Sequence, residues 1–403
     1  MDFSHSDRAA EYLRRVTDFI RTEIEPVEPA YHRALRAAAD PWVVLPVIDE
    51  LKAKAREQGL WNLFLPETEY GGAGLSNAEY APLAERMGRS AIAPEIFNCN
   101  APDTGNAEVL VKYGSAEQRE RWLEPLLRGE IRSAFCMTEP DVASSDATNM
   151  AATAIVDGEA IVLNGRKWWS TGVGHPNCAF TIFMGVTDPN AERYARHSMV
   201  LVPLDADGVK VERLLSVFGE RDEPYGHGEV SFTDIRLPLS AVIAGPGRGF
   251  EIAQGRLGPG RIHHCMRLIG LAERALELAC VRATARTAFG KPLANLGGNR
   301  ERIAHARIAI NQARLLVLHT AWLLDTEGLA GARSEVSQIK VAVPNMAIGV
   351  IDMAMQLHGA AGFSDDFPLA TAYAGARSLR MADGPDEVHL GVVARQELKG
   401  YQP

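Results

Sequence analysis

The chain has 403 residues and a formal net charge of −9, from 42 Lys and Arg against 51 Asp and Glu. Apolar residues make up 46% of it and charged residues 23%, which excludes a disordered or fibrous protein. The acidic balance argues against nonspecific nucleic-acid binding, which depends on a basic surface, although a few local arginines can still hold an anionic ligand. The length predicts two or three domains of roughly 100–200 residues each.

The location predicted from these features is the cytoplasm. No apolar run reaches the roughly 20 residues of a membrane span, and the first residues lack the apolar core of a signal peptide. The five cysteines are scattered without a Cys-x-x-Cys pair, which predicts free thiols in a reducing compartment. The contiguous His263, His264 and Cys265 have poor spacing for a metal site, so we expect structural roles for them and no metal.

Residues 1 to about 130 are predicted to be helical. Apolar residues recur at helical spacing from Leu13 to Ile24 within a charged stretch, which is typical of an amphipathic helix. The Ser-x-x-Glu and Ser-x-x-Gln patterns at 76–79 and 115–118 predict two helix starts with capping boxes.

The pattern changes near residue 131 to short alternating runs that continue to about residue 240. Asp157-Gly158 and Asn164-Gly165 are both strong signals for a hairpin turn. We expect a small antiparallel β domain here, built as a barrel or a sandwich.

Helical spacing returns from about residue 249 and continues to near Lys399. Long helical segments are predicted at about 302–325 and 334–358, and Pro344 should kink or end the second one. Several long antiparallel helices predict a bundle. The expected fold class is therefore α+β and multidomain, with helical residues 1–130, β residues 131–240 and helical residues 241–403.

Common nucleotide-binding and hydrolase motifs are absent from the sequence. There is no Gly-x-Gly-x-x-Gly after a strand, no phosphate-binding P-loop, no His-Glu-x-x-His and no Gly-x-Ser-x-Gly. Composition and periodicity alone therefore do not name a reaction.

Several segments together resemble the acyl-CoA dehydrogenase family of flavoproteins, in that family's order and over nearly the whole chain. They are LPETEYGGAG (65–74), AFCMTEPDVASSDATNM (134–150), NGRKWWSTG (164–172), RTAFGKP (286–292) and QLHGAAGF…ADGPDEVH (356–389). The residues of these motifs are most similar to those of the family members numbered ten and eleven. Those members carry extra domains that this chain is expected to be too short to hold.

The resemblance implies a fold and a reaction. The fold has an N-terminal helical domain, a central antiparallel β-barrel and a C-terminal four-helix bundle. Such enzymes bind FAD, a carboxylate takes the α-proton of an acyl-CoA, and hydride leaves the β-carbon for flavin N5, which gives a trans-2-enoyl-CoA for fatty acid β-oxidation. Electrons then pass to an electron-transfer flavoprotein, and the shared cofactor sites imply a homodimer or homotetramer.

Asp383 takes the position of the family's catalytic glutamate, in Ala382-Asp383-Gly384-Pro385. Being one methylene shorter than Glu, it requires the backbone or the substrate to lie closer. Two alternatives stay open: Asp383 as a helix N-cap, and Glu387 as the base. Arg261 matches an arginine near the base that would orient the carboxylate and tune its pKa; its alternative role is a surface salt bridge.

The resemblance also implies a set of binding residues. Those implied to bind FAD are Phe135, Met137, Thr138, Trp169, Thr171, Arg286, Phe289, Gln356, Gly359 and Glu387. Those implied to bind the acyl-CoA are Ser145, Arg261 and Gly384. In this assignment Trp169 covers the flavin face, Thr171 donates to N5, and Arg286 reaches the diphosphate of a neighbouring subunit's FAD through its guanidinium.

Simpler roles for these residues remain as alternatives: a turn for the loop after Phe135, packing for Trp169, and a helix-terminal charge for Arg286. The sequence also departs from the family pattern, because Pro385 and Glu387 stand where Thr and Gln usually contact FAD. Another flavoenzyme on the same fold, such as a nitroalkane oxidase or an acyl-CoA oxidase, is the alternative function. A non-catalytic CoA- or FAD-binding scaffold is a third.

Overall fold

The computed structural model describes residues 4–401, except for the side chains of Leu257 and Pro259. The helices are α1 (Asp7–Phe19), α2 (Glu28–Ala37), α3 (Pro46–Glu57), α4 (Asn77–Met87), α5 (Ala93–Ile96), α6 (Asp103–Tyr113), α7 (Ala116–Gln118), α8 (Glu124–Leu127), α9 (Gly249–Ala285), α10 (Asn299–Gly331), α11 (Arg333–His358), α12 (Leu369–Ser378) and α13 (Asp386–Lys399). The strands are β1 (Arg132–Cys136), β2 (Thr153–Asp157), β3 (Ala160–Thr171), β4 (Cys178–Val186), β5 (His197–Pro203), β6 (Val209–Leu215), β7 (His227–Pro238), β8 (Thr287–Ala288) and β9 (Lys291–Pro292). This is the predicted order of helices, strands and helices.

Both predicted capping boxes are present. At the start of α4, the Ser76 hydroxyl accepts from the Glu79 N–H at 3.2 Å, and the Glu79 carboxylate accepts from the Ser76 N–H at 3.1 Å. Ser115 and Gln118 make the same reciprocal pair before α7. Each pair satisfies two N–H groups that a helix start leaves open, which is why the local sequence was enough to find both.

The chain divides into two compact units. The helical unit comprises residues up to Pro26, Leu75–Pro94 and the chain from Arg261 onwards, and the sheet unit comprises Val27–Gly74 and Glu95–Gly260. The division into residues 1–130, 131–240 and 241–403 stays a prediction.

The sheet unit is built on seven strands. Six follow the order β1-β4-β2-β3-β7-β6, and β5 pairs with β4 as a branch from that order. Strands β1 and β4 pair in parallel, whereas β2–β3, β3–β7, β6–β7 and β4–β5 are antiparallel. The sheet is thus mixed, where hairpin signals predicted an antiparallel one. A parallel pair needs a long crossover, and the loop and hairpin between β1 and β4 provide it.

The hairpin predicted at Asn164-Gly165 is wrong, while the one at Asp157-Gly158 is confirmed between β2 and β3. Strand β3 runs straight through Gly165, with a shift of register against β7. Gly165 has φ +147°, and a Cβ there would collide with Ala152, which lies just before β2 in the same chain. The glycine therefore permits close backbone approach inside the sheet, a role that the Asn-Gly dipeptide does not reveal.

The helices predicted from residue 249 onwards are present, and the helical unit holds α10, α11 and the part of α9 that begins at Arg261. Helix α10 runs beyond the predicted segment and carries a break at Gly328, where φ is +68°. Helix α11 continues through Pro344, which excludes a helix end there, while the kink that was the other expectation stays a prediction. No described helix is long and apolar enough to cross a membrane, and no group of three or more metal-ligating side chains occurs among residues 4–401.

Candidate active site

Asp383 lies in a short loop between α12 and α13, in a left-handed backbone conformation with φ +57°. Gly384 follows with φ +105°, and Pro385 is the residue that precedes the first turn of α13. Asp383 is therefore not the helix N-cap, and that alternative is wrong. Non-glycine residues in this conformation are uncommon and persist where surrounding contacts hold them, which is frequent at functional sites.

Three side chains hold the backbone of this loop. The Asp383 carbonyl accepts from Arg261 Nε at 3.0 Å and from His389 Nε2 at 3.2 Å. The Gly384 carbonyl accepts from Lys340 Nζ at 3.4 Å. Because the donors come from α9, α11 and α13, the loop is fixed from three helices while the Asp383 carboxylate stays out of these bonds.

The Asp383 carboxylate is partly accessible and faces a histidine. Its side chain is 20% exposed, and Oδ2 lies 3.6 Å from His264 Nε2. Burial, and then the charges of Arg261 and Lys340, lower the pKa of His389 to about 4. His389 is thus neutral at neutral pH, and it must carry its hydrogen on Nε2 to donate to the Asp383 carbonyl.

Arg261 donates to the backbone of this loop and does not lie on the surface as an exposed salt bridge. Its guanidinium is largely buried, and burial lowers its pKa against the opposing effect of Asp383. Glu387, the alternative base, is exposed in the first turn of α13. Of the two carboxylates, Asp383 is the one that the surrounding contacts hold in place.

Arg286 and Phe289 lie where α9 ends and a small hairpin follows. Phe289, between β8 and β9, is 94% exposed with φ +51°. Arg286 is exposed and makes no ion pair with any described residue. An exposed guanidinium and an exposed aromatic ring three residues further along the chain have the chemistry that suits an anionic, aromatic ligand such as a dinucleotide.

Gln356 and Gly359 lie at the end of α11, in the same unit. Both are exposed, Gly359 has φ +64°, and no atom lies within 4 Å of a Cβ built there. Arg282 Nη2 donates to the His358 carbonyl at 3.5 Å, which ties the last turn of α9 to this end of α11. The segments of Arg286 and Gly359 are thus tied together by that contact.

Phe135, Met137 and Thr138 lie at the end of β1 in the sheet unit. Buried Lys167 holds the turn that follows, donating to the Met137 carbonyl at 3.0 Å and to Glu139 Oε1 at 2.7 Å. Thr138 is exposed, and its carbonyl accepts from the Trp168 N–H at 2.9 Å. The end of β1 and the Trp pair of β3 are therefore joined by backbone.

Trp169 and Thr171 lie at the end of β3, where the register against β7 shifts. Trp169 has φ +53° and is 41% exposed, so it is not a packed core residue. Trp168 is more buried, and its indole Nε1 has no hydrogen-bond partner among the described residues. The bulge turns the Trp169 side chain away from the sheet core.

Ser145 is exposed in the loop between β1 and β2. The loop is closed by Glu139, whose carboxylate accepts from the Ala151 and Ala152 N–H groups at 2.8 and 3.1 Å. Ser144, not Ser145, makes the internal contact, accepting from the Glu139 N–H at 2.9 Å. Ser145 is thereby left available to a ligand.

Three residues near these positions were missed by the sequence analysis. His264 faces Asp383 but was expected to be structural, and His227 contacts Thr171 across two strands. Arg256 lies over the Phe135 ring at 3.9 Å. None of the three is close in sequence to its partner, so only the fold could have paired them.

The described residues fit FAD on several counts. An isoalloxazine ring needs an apolar cover and hydrogen-bonding groups for its polar edge, and exposed Trp169 with the Thr138 and Thr171 hydroxyls offers these. The buried, unpartnered Nε1 of Trp168 is a spare donor in the same segment. In the helical unit, exposed Arg286 has the chemistry that suits a diphosphate, and Pro385 has no N–H to offer a ligand.

Comparison with family models matches the chain almost from end to end. Residues 6–130 match the acyl-CoA dehydrogenase N-terminal domain, residues 134–235 its middle domain and residues 247–398 its C-terminal domain.

Curated relatives agree with these matches. The chain is 56% identical over 399 residues to acyl-CoA dehydrogenase family member 10 of Mus musculus, covering 98% of this chain and 37% of that protein. It is 50% identical over 400 residues to the probable acyl-CoA dehydrogenase FadE2 of Mycobacterium tuberculosis, covering 99% and 97%. The chain spans about half or less of the length of the family member 10 and 11 relatives it matches.

Solved structures show the same fold. A putative acyl-CoA dehydrogenase from Mycobacterium abscessus is 69% identical with a TM-score of 0.97, covering 99% of this chain and 100% of that one. Butyryl-CoA dehydrogenase from Megasphaera elsdenii is 25% identical with a TM-score of 0.84, over the same shares of both chains.

Proposed function

The chain belongs to the acyl-CoA dehydrogenase family, and from that premise we propose that it is an FAD-dependent oxidoreductase that converts an acyl-CoA thioester to a trans-2-enoyl-CoA. When bound, FAD would supply the two-electron chemistry as the hydride acceptor, and the protein would supply the base for the α-proton. The substrate loses two hydrogens and gains one carbon–carbon double bond, and this balances the reduction of the cofactor.

The observation that carries this proposal is the fixed loop around Asp383. A general base must sit within hydrogen-bond reach of the proton that it removes. Arg261, His389 and Lys340 bind the loop carbonyls, so the loop is held while the carboxylate remains partly accessible. Asp383 as the base and Arg261 as its positioning residue are the roles that this arrangement supports.

The remaining residues take the binding roles that the family resemblance implies. Phe135, Met137, Thr138, Trp169 and Thr171 would hold the flavin ring. Arg286, Phe289, Gln356 and Gly359 would hold the dinucleotide of a neighbouring copy, and Ser145 and Gly384 would contact the acyl-CoA. Glu387 lies exposed on α13, and its contact with FAD is proposed only through its carboxylate as an acceptor.

The partners and location are proposals of the same kind. An electron-transfer flavoprotein is the proposed electron acceptor, and the chain is proposed to act as a homodimer or homotetramer in fatty acid β-oxidation. The described cysteines are all free thiols, which supports a cytoplasmic location.

Anaerobic titration of the purified protein with a panel of acyl-CoAs tests the proposal. Bleaching of the oxidised flavin spectrum is expected with at least one acyl-CoA. Asp383→Asn should keep the yellow colour and lose bleaching by roughly 100-fold or more in rate, since removal of a general base has an effect of that size. Asn also tolerates the left-handed backbone, so the loop should stay intact.

Glu397→Gln, at an exposed carboxylate of α13 that has no proposed role in binding or catalysis, is the matched control and should bleach as the parent protein does. Bleaching at the parent rate by Asp383→Asn would reject Asp383 as the base. A flavoprotein that no acyl-CoA reduces, and that a nitroalkane reduces instead, would place the chain with the alternative flavoenzymes. Reduction by neither would favour a binding scaffold.

A further inference from the structure

Thr171 is hydrogen-bonded to a histidine on the neighbouring strand. Thr171 of β3 and His227 of β7 are register partners, and Thr171 Oγ1 lies 2.9 Å from His227 Nδ1. Both side chains are partly buried in the sheet unit, and the Trp169 ring lies 5.8 Å from the imidazole. The hydroxyl proposed to face the flavin therefore already has one protein partner.

A carboxylate stands on the far side of that imidazole. His227 Nε2 lies 3.8 Å from Asp222 Oδ2, which is longer than a hydrogen bond but close enough for electrostatic orientation. The Asp222 carbonyl accepts from the Tyr225 and Gly226 N–H groups at 2.9 and 3.0 Å. The Gly226 carbonyl in turn accepts from the Gly172 N–H at 2.9 Å, so this segment is fastened beside Thr171.

The order of these groups decides the direction of the hydrogen bonds. A carboxylate only accepts, so Asp222 favours the tautomer of His227 with hydrogen on Nε2. Nδ1 then has a lone pair, and the Thr171 hydroxyl must donate to it. The Thr171 oxygen is left with only lone pairs for a ligand.

We propose that His227, oriented by Asp222, makes the Thr171 hydroxyl a hydrogen-bond acceptor and thereby stabilises the reduced cofactor. The inference rests on the proposed function and on the place beside flavin N5 that the family resemblance implies for Thr171. The resemblance alone implies that the hydroxyl donates to N5, whereas its bond to His227 would turn it into an acceptor. Oxidised N5 offers a lone pair, whereas reduced N5 carries a hydrogen that needs an acceptor. Asp222 and His227 are positioning residues, and they set the cofactor's preference between its two redox states.

The bound-flavin midpoint potential, measured by spectroelectrochemistry without substrate, tests this. Thr171→Val and His227→Phe should each lower the preference for the reduced form about tenfold, the effect of one hydrogen bond and about 30 mV for a two-electron couple. The double variant should fall no further than either single one, because both remove the same contact. Asp222→Asn should move the potential in the same direction by less.

Matched variants keep the test decisive. Thr171→Ser keeps the hydroxyl and should restore the parent potential, as should His227→Gln, whose carbonyl oxygen can accept in place of Nδ1. Asp207→Asn removes an exposed carboxylate elsewhere in the sheet unit and should change nothing. If His227→Phe fails to hold flavin, the comparison of Thr171→Val, Thr171→Ser and His227→Gln decides alone.

The inference would be overturned if the midpoint potentials of Thr171→Val and His227→Phe rose or stayed at the parent value. It would also be overturned if the shift in the double variant equalled the sum of the two single shifts. The two proposals fail in distinguishable ways. A parent protein that holds FAD but is reduced by no acyl-CoA contradicts the proposed reaction, while the potentials still report on the Thr171 contact. A parent protein that acyl-CoA bleaches, with variant potentials unmoved, contradicts only the inference.

Discussion

At the scale of single residues, backbone conformation accounts for the loop that carries Asp383. Gly384 is required there on two counts: its φ is +105°, and a Cβ would lie 2.9 Å from His389 Nε2, the atom that holds the Asp383 carbonyl. A side chain at this position would therefore strain the backbone and displace His389 together. The identity of residue 384 and the position of the carboxylate are coupled.

Gly384→Ala is expected to lower the free energy of unfolding by about 1–3 kcal/mol, the usual range for a strained backbone position. It should also slow acyl-CoA bleaching. Gly349→Ala is the control: Gly349 lies inside α11 with no atom within 4 Å of its Cβ position, so alanine should stabilise by about 0.5–1 kcal/mol. Urea unfolding measures the change in the free energy of unfolding for each variant. If both variants were stabilised, or both destabilised, the backbone requirement for glycine at position 384 would be contradicted.

Glu108, in α6, makes stability depend on pH. Burial raises its pKa to about 8 from an ordinary 4.5, against the opposing charge of Arg256. Between these values the folded protein holds a proton that the unfolded chain releases. The protonated Glu108 carboxyl therefore makes its full contribution to the stability of the fold below pH 4.5, and this contribution is lost as the pH rises through 8.

Glu108→Gln should remove this dependence. Relative to the variant, the parent protein should lose stability from pH 5.5 to 8.5 by at most about 3 kcal/mol, from about 1.4 kcal/mol per unit. Urea unfolding at both values is the measurement. Glu117→Gln, at an exposed carboxylate in α7, should leave the parent's pH dependence unchanged. If the free energies of unfolding of the parent and of Glu108→Gln changed with pH by the same amount, Glu108 would be ionised in the folded protein over this pH range.

At the scale of elements, sequence patterns succeeded where the cause was local. Both capping boxes involve residues three apart, so the chain order contains the whole interaction. The Asn164-Gly165 pair wrongly predicted a turn. The glycine is needed because a side chain there would collide with Ala152, which is distant in sequence. Thr171 and His227 could not be paired before β3 and β7 were known to be neighbours. The resemblance located the loops, but their internal contacts came only from the fold.

The buried ion pair of Lys167 and Glu139 fastens β1, β3 and the following loop. Lys167 also donates to the Met184 carbonyl at 2.6 Å, and it is fully buried. Lys167→Met is expected to destabilise the fold by about 3–5 kcal/mol, because it leaves the Glu139 carboxylate buried without its cation. Thermal or urea unfolding checks this.

Lys210→Met is the control for that change, since Lys210 pairs with Glu212 on an exposed face of β6. Its loss should cost no more than about 1 kcal/mol. A Lys167→Met protein that unfolds at the parent's denaturant concentration would show that the buried pair does not hold the loop.

At the scale of the whole molecule, one exposed face bears on the proposed oligomer. Ile308, Leu315 and Trp322 recur every seven residues along α10 and are exposed. Apolar residues at that repeat form one stripe on a helix, and such a stripe in water is typical of an association surface. With a net charge of −9, contact between copies has to rely on apolar burial rather than on overall attraction.

Leu315→Glu is expected to reduce the mass of the assembly in light scattering, because each copy would bring a charge into an apolar contact. Leu398→Glu adds the same charge at an exposed apolar position in α13 and should leave the mass unchanged. Equal masses for parent and Leu315→Glu would exclude this face of α10 from the interface.

The left-handed conformation of Asp383 also bears on how this site can evolve. A change of codon from Asp to Glu needs one nucleotide, so mutation gives ready access to the longer acid that the family usually carries. Asp and Asn hydrogen-bond locally and tolerate φ near +57°, whereas the longer side chain does so less well. The loop conformation therefore disfavours Glu at this position, although a single-nucleotide change would produce it.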